Sequence, residues 1–159
     1  LQSVACNIDY NNSENSESKQ NSLNLTDISE KLYEQGLDHY YGLVHPIDYA
    51  KSFEIFESSA KQGHPESMFY LGICYENGQG VEKNEKKALE ILHKSAELDS
   101  SNAMYKLFFS YAIGQGVEKD YKKAIEYLKK SADLGNFNAK ELLNDKKRLI
   151  VYRLYGECV

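Results

Sequence analysis

A six-residue segment, GQGVEK, occurs at residues 78–83 of this chain and again at residues 114–119. When the sequence is compared with itself at a shift of 36 residues, the match extends over most of the chain without an insertion or deletion. The columns that agree in three copies include Gly42/Gly78/Gly114, Asp48/Asn84/Asp120, Phe53/Leu89/Ile125, Phe56/Leu92/Leu128, Ala60/Ala96/Ala132 and Gly63/Asp99/Gly135. A fixed period of this length indicates a repeat architecture, in which one small structural unit is used several times.

The first half of each unit is predicted to be a helix, here named helix A. In the second copy Met68, Leu71 and Tyr75 follow the i, i+3, i+7 spacing that places side chains on one helical face. The pattern predicts helix A over residues 65–77 of that copy. No segment of the chain shows the sustained alternation that is typical of a strand, so the expected fold is all-α.

The second half of each unit is predicted to be another helix, helix B. It begins after the column that contains Asn84, whose side chain can cap free backbone amides. It ends at the column that contains Asp99, where glycine or aspartate tolerates a left-handed backbone. Isolated helices of about 13 residues are marginal in water. Neighbouring pairs must therefore bury each other's apolar stripes, which predicts an α-solenoid.

The predicted domain is an all-α solenoid of about three stacked helix-turn-helix repeats of 36 residues, with a capping helix at its C-terminal end. Its expected limits are residues 26–145, with repeats at about 28–63, 64–99 and 100–135 and a half repeat from 136. Residues 1–25 are rich in Asn and Ser and are expected to form a flexible leader. Residues 146–159 leave the repeat pattern and are interpreted as a cap or a tail, with the cap favoured.

The glycine pair in GQGVEK could also indicate a phosphate-binding loop, but the neighbouring residues do not fit one. Such a loop needs a lysine directly after its last glycine and a hydroxyl residue after that. In this chain Lys83 stands three positions beyond Gly80, and Asn84 follows it. We therefore interpret the glycines as the turn between helices A and B, where a positive φ and a close approach of helices are needed.

The repeat resembles a known family through residues that recur in the second and third copies. They are Leu71-Gly72, Tyr75, Gly78-Gln79-Gly80-Val81, Lys87-Ala88 and Ser95-Ala96 in the second copy, and Leu107, Tyr111, Gly114-Gln115-Gly116-Val117, Lys123-Ala124 and Ser131-Ala132 in the third. On these residues the chain is similar to the Sel-one-like repeat (SLR) family of the tetratricopeptide-like superfamily. Phe108 departs from the pattern because it replaces a glycine of helix A, so the packing there is expected to be wider or different.

The resemblance implies a non-enzymatic scaffold or adaptor that binds a protein or peptide partner along the concave surface formed by the A helices. The candidate groove residues recur on helix A at a spacing of 36, and they are Tyr33, Leu37, Tyr40, Phe69, Ile73, Tyr105 and Phe109. Exposed apolar ladders are typical of interaction surfaces. The alternative is that successive A helices bury these rings against each other. The combination of partial burial and a usable groove is the favoured interpretation. Glu30, Glu66 and Glu76 beside the ladder would favour a basic or amphipathic peptide.

The remaining residues indicate no catalytic centre. The histidines follow repeat positions or loops without the spacing of a metal-binding motif, and His39 is interpreted as a core substitution because it aligns with Tyr75 and Tyr111. No catalytic residue, metal site, cofactor or small-molecule substrate is therefore predicted. The net charge of −5 argues against a nucleic-acid surface. No apolar run is long enough to span a membrane. The oligomeric state remains open.

A second function is kept beside the scaffold: a structural or secreted surface protein whose repeats mainly act as spacers or oligomerise. Residues 1–6, LQSVAC, faintly resemble the end of a bacterial lipoprotein signal, in which the cysteine receives the lipid. Ser3 stands where such signals usually have a leucine. Cys6 is thus interpreted either as a lipid attachment site or as an ordinary cysteine. Secreted, periplasmic and secretory-lumen locations are favoured slightly over the cytoplasm.

Overall fold

The computed structural model describes the backbone of residues 14–145 and the side chains of residues 26–145. Within this part of the chain the structure consists of α-helices that pack in sequential order. They are α1 (Glu14–Tyr41), α2 (Tyr49–Lys61), α3 (Pro65–Asn77), α4 (Glu85–Glu97), α5 (Ser101–Ile113), α6 (Tyr121–Asp133) and α7 (Phe137–Asn144). The pairs α1/α2, α3/α4 and α5/α6 are the three predicted units, and α7 is the helix A of a fourth. The all-α solenoid predicted from the sequence is confirmed.

Each helix B begins and ends at the columns that the sequence indicates. The side chains of Asp48, Asn84 and Asp120 each accept a hydrogen bond from the backbone amide three residues later, which satisfies a donor that the helix itself leaves free. Beyond the other end, the chain turns through a left-handed residue with φ of 86° at Gly63 and 62° at Asp99. The boundaries of helix B are therefore determined by residues close in sequence.

The hydrophobic core lies between each helix B and the helices A that flank it. Phe56, Leu92 and Leu128 occupy the same column and are almost completely buried. The alanine column of helix B is buried beside them. Burying one such large side chain stabilises a protein by about 1.5–3 kcal/mol, which exceeds the helix propensity of any single residue. Packing between units therefore decides the fold.

A column of buried serines links the two helices of every unit. Ser59, Ser95 and Ser131 in helix B donate to backbone carbonyl oxygens at equivalent positions of helix A, each over 2.7 Å. The acceptors are the carbonyls of Ser29, Pro65 and Ser101. Because all three serines are fully buried, these hydrogen bonds form in a dry environment. They fix the position of helix B along helix A identically in each unit.

The second glycine of GQGVEK packs each unit against the preceding unit. A side chain at Gly80 would overlap the backbone carbonyl of Tyr49, the first residue of α2. Gly116 lies in the same way against the start of α4, where Leu89 and Glu85 are its nearest neighbours. The first copy has Val44 at this position, and Val44 is 84% exposed. The hexamer is therefore repeated because the same turn contacts a helix B twice.

The replacement of a helix A glycine by Phe108 is absorbed within α5. Side chains at Gly36 and Gly72 would meet Phe56 and Leu92 of the partner helix B, which explains why glycine stands in these two copies. In the third copy the ring of Phe108 is buried and lies 4.7 Å from the ring of Phe109. Phe108 belongs to the buried cluster that also contains Leu128 of α6, and the wider packing expected from the sequence stays a prediction.

The ends of the described region differ in extent from the expected domain. Helix α1 begins at Glu14, so the second half of the segment interpreted as a leader belongs to a helix. Residues 1–13 lie outside the described residues, as does the cap or tail expected at 146–159. At the other end α7 begins after Asn136, where the sequence places the fourth helix A.

We predict that Gly80→Ala destabilises the chain more than Gly63→Ala. Both positions have positive φ, 74° and 86°, so both substitutions introduce backbone strain of roughly 1–2 kcal/mol. Only at Gly80 would the new methyl group also overlap the backbone of the preceding unit, whereas nothing lies within 4 Å at Gly63. Urea unfolding followed by far-ultraviolet circular dichroism measures the difference. Equal losses of stability would contradict the proposed contact between units.

Candidate functional site

The candidate groove residues lie at equivalent places on three successive A helices. Tyr33, Leu37 and Tyr40 are on α1, Phe69 and Ile73 on α3, and Tyr105 and Phe109 on α5. Six of them are half-buried, and Phe109 is 39% exposed. These side chains are thus partly buried, and partner binding at this face stays a prediction.

The upper part of this face is an aromatic cluster between α1, α2 and α3, formed by Tyr33, Tyr40, Tyr41, Phe56 and Tyr70. Tyr70 lies at its centre, with its ring 5.0 Å from that of Phe56 and 5.4 Å from that of Tyr40. The hydroxyls of Tyr41 and Tyr70 are 3.0 Å apart and share a hydrogen bond. The rings predicted as contacts for a partner thus also hold the first two units together.

The sequence pattern does not identify Tyr41 and Tyr70 as functional candidates. Tyr70 aligns with Glu34 and Lys106, and Tyr41 aligns with Asn77 and Ile113. Neither column is uniformly apolar, so periodicity alone could not identify it. The only available signal was that Tyr40-Tyr41 and Phe69-Tyr70 are adjacent aromatic pairs on neighbouring A helices.

Burial of the aromatic cluster keeps its phenols neutral. Desolvation is the main reason why the pKa of Tyr33 and that of Tyr40 are raised to about 12. The pKa of Tyr70 is raised further, first by burial and then by its hydrogen bond with Tyr41. A phenol with a raised pKa is a poor proton donor at neutral pH. These groups are therefore suited to packing against apolar surface rather than to acid–base chemistry.

The next junction, between α3 and α5, uses the same positions with charged side chains. Tyr40 donates to Oε1 of Gln79 over 2.8 Å in the first junction, and Gln115 donates to Oε1 of Glu76 over 2.6 Å in the second. Oε2 of Glu76 lies 2.9 Å from Nζ of Lys106, and the two side chains form an ion pair. The geometry of this contact is not that of a hydrogen bond. Equivalent positions therefore form an aromatic junction in one place and an ionic junction in the other.

The carboxylates expected to favour a basic peptide are engaged in contacts between units. Glu66 accepts hydrogen bonds from Ser100 and Asn102, over 2.8 and 2.9 Å. Glu30 accepts one from Nε2 of His64, which caps α3 through its Nδ1. Since Glu76 is paired with Lys106, these carboxylates are already satisfied within the chain. The face is therefore less acidic in effect than the sequence predicts.

The lower part of the face opens into a pocket between α5 and α7. Its volume is about 480 Å³, and Tyr105, Asn138, Glu141 and Leu142 are among its lining residues. Tyr105 also packs edge-on against Phe109, with ring centres 5.1 Å apart. The pocket joins an aromatic wall on α5 to a largely polar wall on α7.

The histidines occupy several environments. His39 is buried, as expected for a core substitution. Both ring nitrogens of His93 lie within hydrogen-bonding distance of tyrosine hydroxyls, those of Tyr111 and Tyr127. In the described part of the chain, Asp38, His39 and His45 also bring metal-ligating atoms close together. The sequence did not predict this cluster because His45 lies beyond a turn, without a recognised spacing.

No helix in the region 14–145 combines the length and the apolar character that crossing a bilayer would require.

The family model described as Sel1 repeat matches residues 31–64, 65–100 and 101–136 of the chain. A solved Sel1 repeat protein from Oxalobacter formigenes is 26% identical, with a TM-score of 0.72 over 80% of this chain and 50% of that protein. A protective antigen of uropathogenic Escherichia coli with an SLR fold is also 26% identical, with a TM-score of 0.67 over 79% of this chain and 29% of the antigen. The family resemblance predicted from the repeated residues is confirmed.

Two further similarities differ in extent. Cysteine rich protein B of Helicobacter pylori shares the fold at 22% identity, with a TM-score of 0.60 over 76% of this chain and 96% of that protein. Chitin synthase regulatory factor 3 of Schizosaccharomyces pombe is 33% identical over 61 residues, or 38% of this chain. The matched region is 6% of the length of the fission yeast protein, so the similarity concerns the repeats alone.

We predict that the chain loses stability as the pH rises from about 10 to about 12. The folded-state pKa of Tyr33 is about 12 and its ordinary value is about 10. The stability that the neutral Tyr33 phenol contributes to the folded chain is therefore fully present below the ordinary pKa of about 10. It is lost as the pH rises through the folded-state pKa of about 12. Urea unfolding at neutral pH and near pH 11 should show a smaller alkaline loss for Tyr33→Phe than for the unaltered chain. Tyr105→Phe, outside the aromatic cluster, is the control, and identical losses in both variants would refute the prediction.

Proposed function

The chain belongs to the Sel1 repeat family, and from this premise we propose that it is a non-enzymatic scaffold that binds a peptide or protein partner along the face of its A helices. Proteins of this family generally act as protein-interaction scaffolds, and the fold is typical of that role. The regulatory role printed in the name of the fission yeast relative is in keeping with the proposal. What we propose for this chain is the kind of partner, a peptide or protein, and the surface that binds it.

One observation carries the choice of surface: apolar side chains remain exposed on the A helices of the first and third units. Phe109 and Ile113 on α5 are 39% and 57% exposed, and Tyr41 on α1 is 53% exposed. Ile113 and Tyr41 occupy the same helix position two units apart. Phe109 and Ile113 also lie four residues apart on α5, so they share one face of that helix, and neighbouring exposed apolar groups support a binding surface.

The chemistry of the face favours an apolar or amphipathic partner segment. Phe109 and Tyr105 provide rigid rings at one end, and Tyr41 provides one at the other. Aromatic residues bury a large area at low cost in side-chain entropy, which makes them frequent anchors of interfaces. The nearby carboxylates are already paired within the chain, so the charge of the partner is expected to matter less than its apolar content.

Peptides selected from a random display library against the intact chain should lose affinity for the double variant Phe109→Ala/Ile113→Ala. Truncating interface anchors typically costs about 2 kcal/mol or more, so we expect at least a roughly tenfold weaker Kd. The double variant Leu98→Ala/Leu134→Ala is the matched control. It removes two apolar side chains of similar exposure, 46% and 45%, that lie where helix B ends. Fluorescence polarisation with the selected peptides measures both affinities.

Peptides that bind the groove variant and the control variant equally well would disprove this surface. Failure of the library to yield any peptide specific for the chain would count against a peptide-binding function as well. Both variants should keep their helices, because all four altered side chains are exposed. Far-ultraviolet circular dichroism of each variant checks this.

The alternative function, a structural or secreted surface protein, has one observation in its favour. The similar E. coli protein is described as a protective antigen. The sequence adds Cys6, which lies outside the described residues, as a candidate site for a lipid. Under this alternative, mass spectrometry of the native protein would find a lipid-modified Cys6. An unmodified cysteine would remove the tether from the proposal.

A further inference from the structure

Three metal-ligating side chains meet where α1 ends and the turn to α2 begins. Asp38 and His39 belong to the last turn of α1, and His45 follows in the turn. A carboxylate oxygen of Asp38 and a ring nitrogen from each histidine lie within 4.8 Å of one another. Both histidines line an open pocket of about 540 Å³. Two imidazoles and one carboxylate form a donor set that suits zinc.

His39 provides an independent indication of a ligand. The side chain is only 8% exposed, and its Nδ1 atom is buried without a hydrogen-bond partner among the described residues. Leaving a buried polar atom unpaired is unfavourable, so such atoms usually have a partner. The corresponding residues of the other copies, Tyr75 and Tyr111, present a ring to a lysine instead. Histidine at this place is therefore not explained by packing alone.

Asp38 is held in place by the turn that carries His45. One oxygen of its carboxylate accepts hydrogen bonds from the backbone amides of Val44 and His45, and the other contacts Nδ1 of His45. A carboxylate that is fixed by backbone contacts is prepared to accept a cation.

All three residues belong to the first copy only. Asp38 aligns with Cys74 and Ser110, and His45 aligns with Val81 and Val117. The first copy is the one that departs most from the repeat pattern, and the three departures converge on one side-chain cluster. The other charges at the pocket, those of Asp48 and Lys51, are opposite in sign and offset each other.

We propose that Asp38, His39 and His45 form a binding site for a divalent transition-metal ion, with Zn²⁺ as the preferred occupant. The three side chains would provide one oxygen and two nitrogen ligands, and the open pocket would admit water as the fourth ligand. In a tetrahedral zinc site the ligand atoms are roughly 3.3 Å apart. The present spread of 4.8 Å must therefore contract. The His45 side chain, which is 60% exposed, can rotate to achieve this without moving the buried His39.

The test is a calorimetric titration of the tag-free chain of residues 1–159 with Zn²⁺ alone. The chain carries Cys6→Ser and Cys158→Ser, because thiolates are strong zinc ligands. We expect saturable binding of one equivalent. The double variant His39→Tyr/His45→Val should bind at least about tenfold more weakly, since even outer partners of metal ligands alter affinity by that factor. Its new residues are those of the second and third copies, which favours retention of the fold.

The matched control is His64→Asn, which removes one imidazole elsewhere but keeps a helix-capping side chain, as in Asn136 of the fourth helix A. Its zinc affinity should equal that of the unaltered background. Zn²⁺ should also raise the thermal midpoint of the background and the control but not of the double variant. The proposal is overturned by an absence of saturable binding, by unchanged affinity in the double variant, or by an equal loss in the control.

Discussion

The structure depends on one constraint: a single helical pair in this chain cannot bury its own apolar stripe. The large residues of helix B, such as Leu92, are covered only when the helices of the same unit and of the adjacent unit are both present. Hydrophobic burial therefore acts between neighbours, and the energy is distributed along the array. The buried serines add direction to this packing, because each donates to a fixed carbonyl of its own unit.

Most of the fold could be predicted because its determinants are local and repeated. The sequence placed helix A of the second copy at 65–77, and α3 spans Pro65–Asn77. The capping role of Asn84 and the left-handed conformation of Asp99 were also predicted, since both follow from the chemistry of one side chain or one backbone angle. A capping residue or a turn residue that recurs in three aligned copies is a stronger signal than the same residue in a single copy.

The candidate site was less predictable because it depends on residues that vary between copies. Tyr70 has Glu34 and Lys106 as its counterparts, so no period revealed that it would centre the aromatic cluster. The proximity of Asp38 and His45 depends on the path of a turn, which side-chain spacing does not specify. The paired state of Glu66 likewise arises between units and is invisible within one. Repeats encode the frame of such a protein, and departures from the repeat encode its individual chemistry.

The contact of Gly80 with the start of α2 gives the stack of units a direction. Each unit presents the first turn of its helix B to the following unit and receives the glycine turn of that unit in return. The two sides of a unit along the stack are therefore different surfaces. Duplication would consequently extend such a protein in steps of one complete unit, because each added glycine turn must meet the helix B of the unit before it.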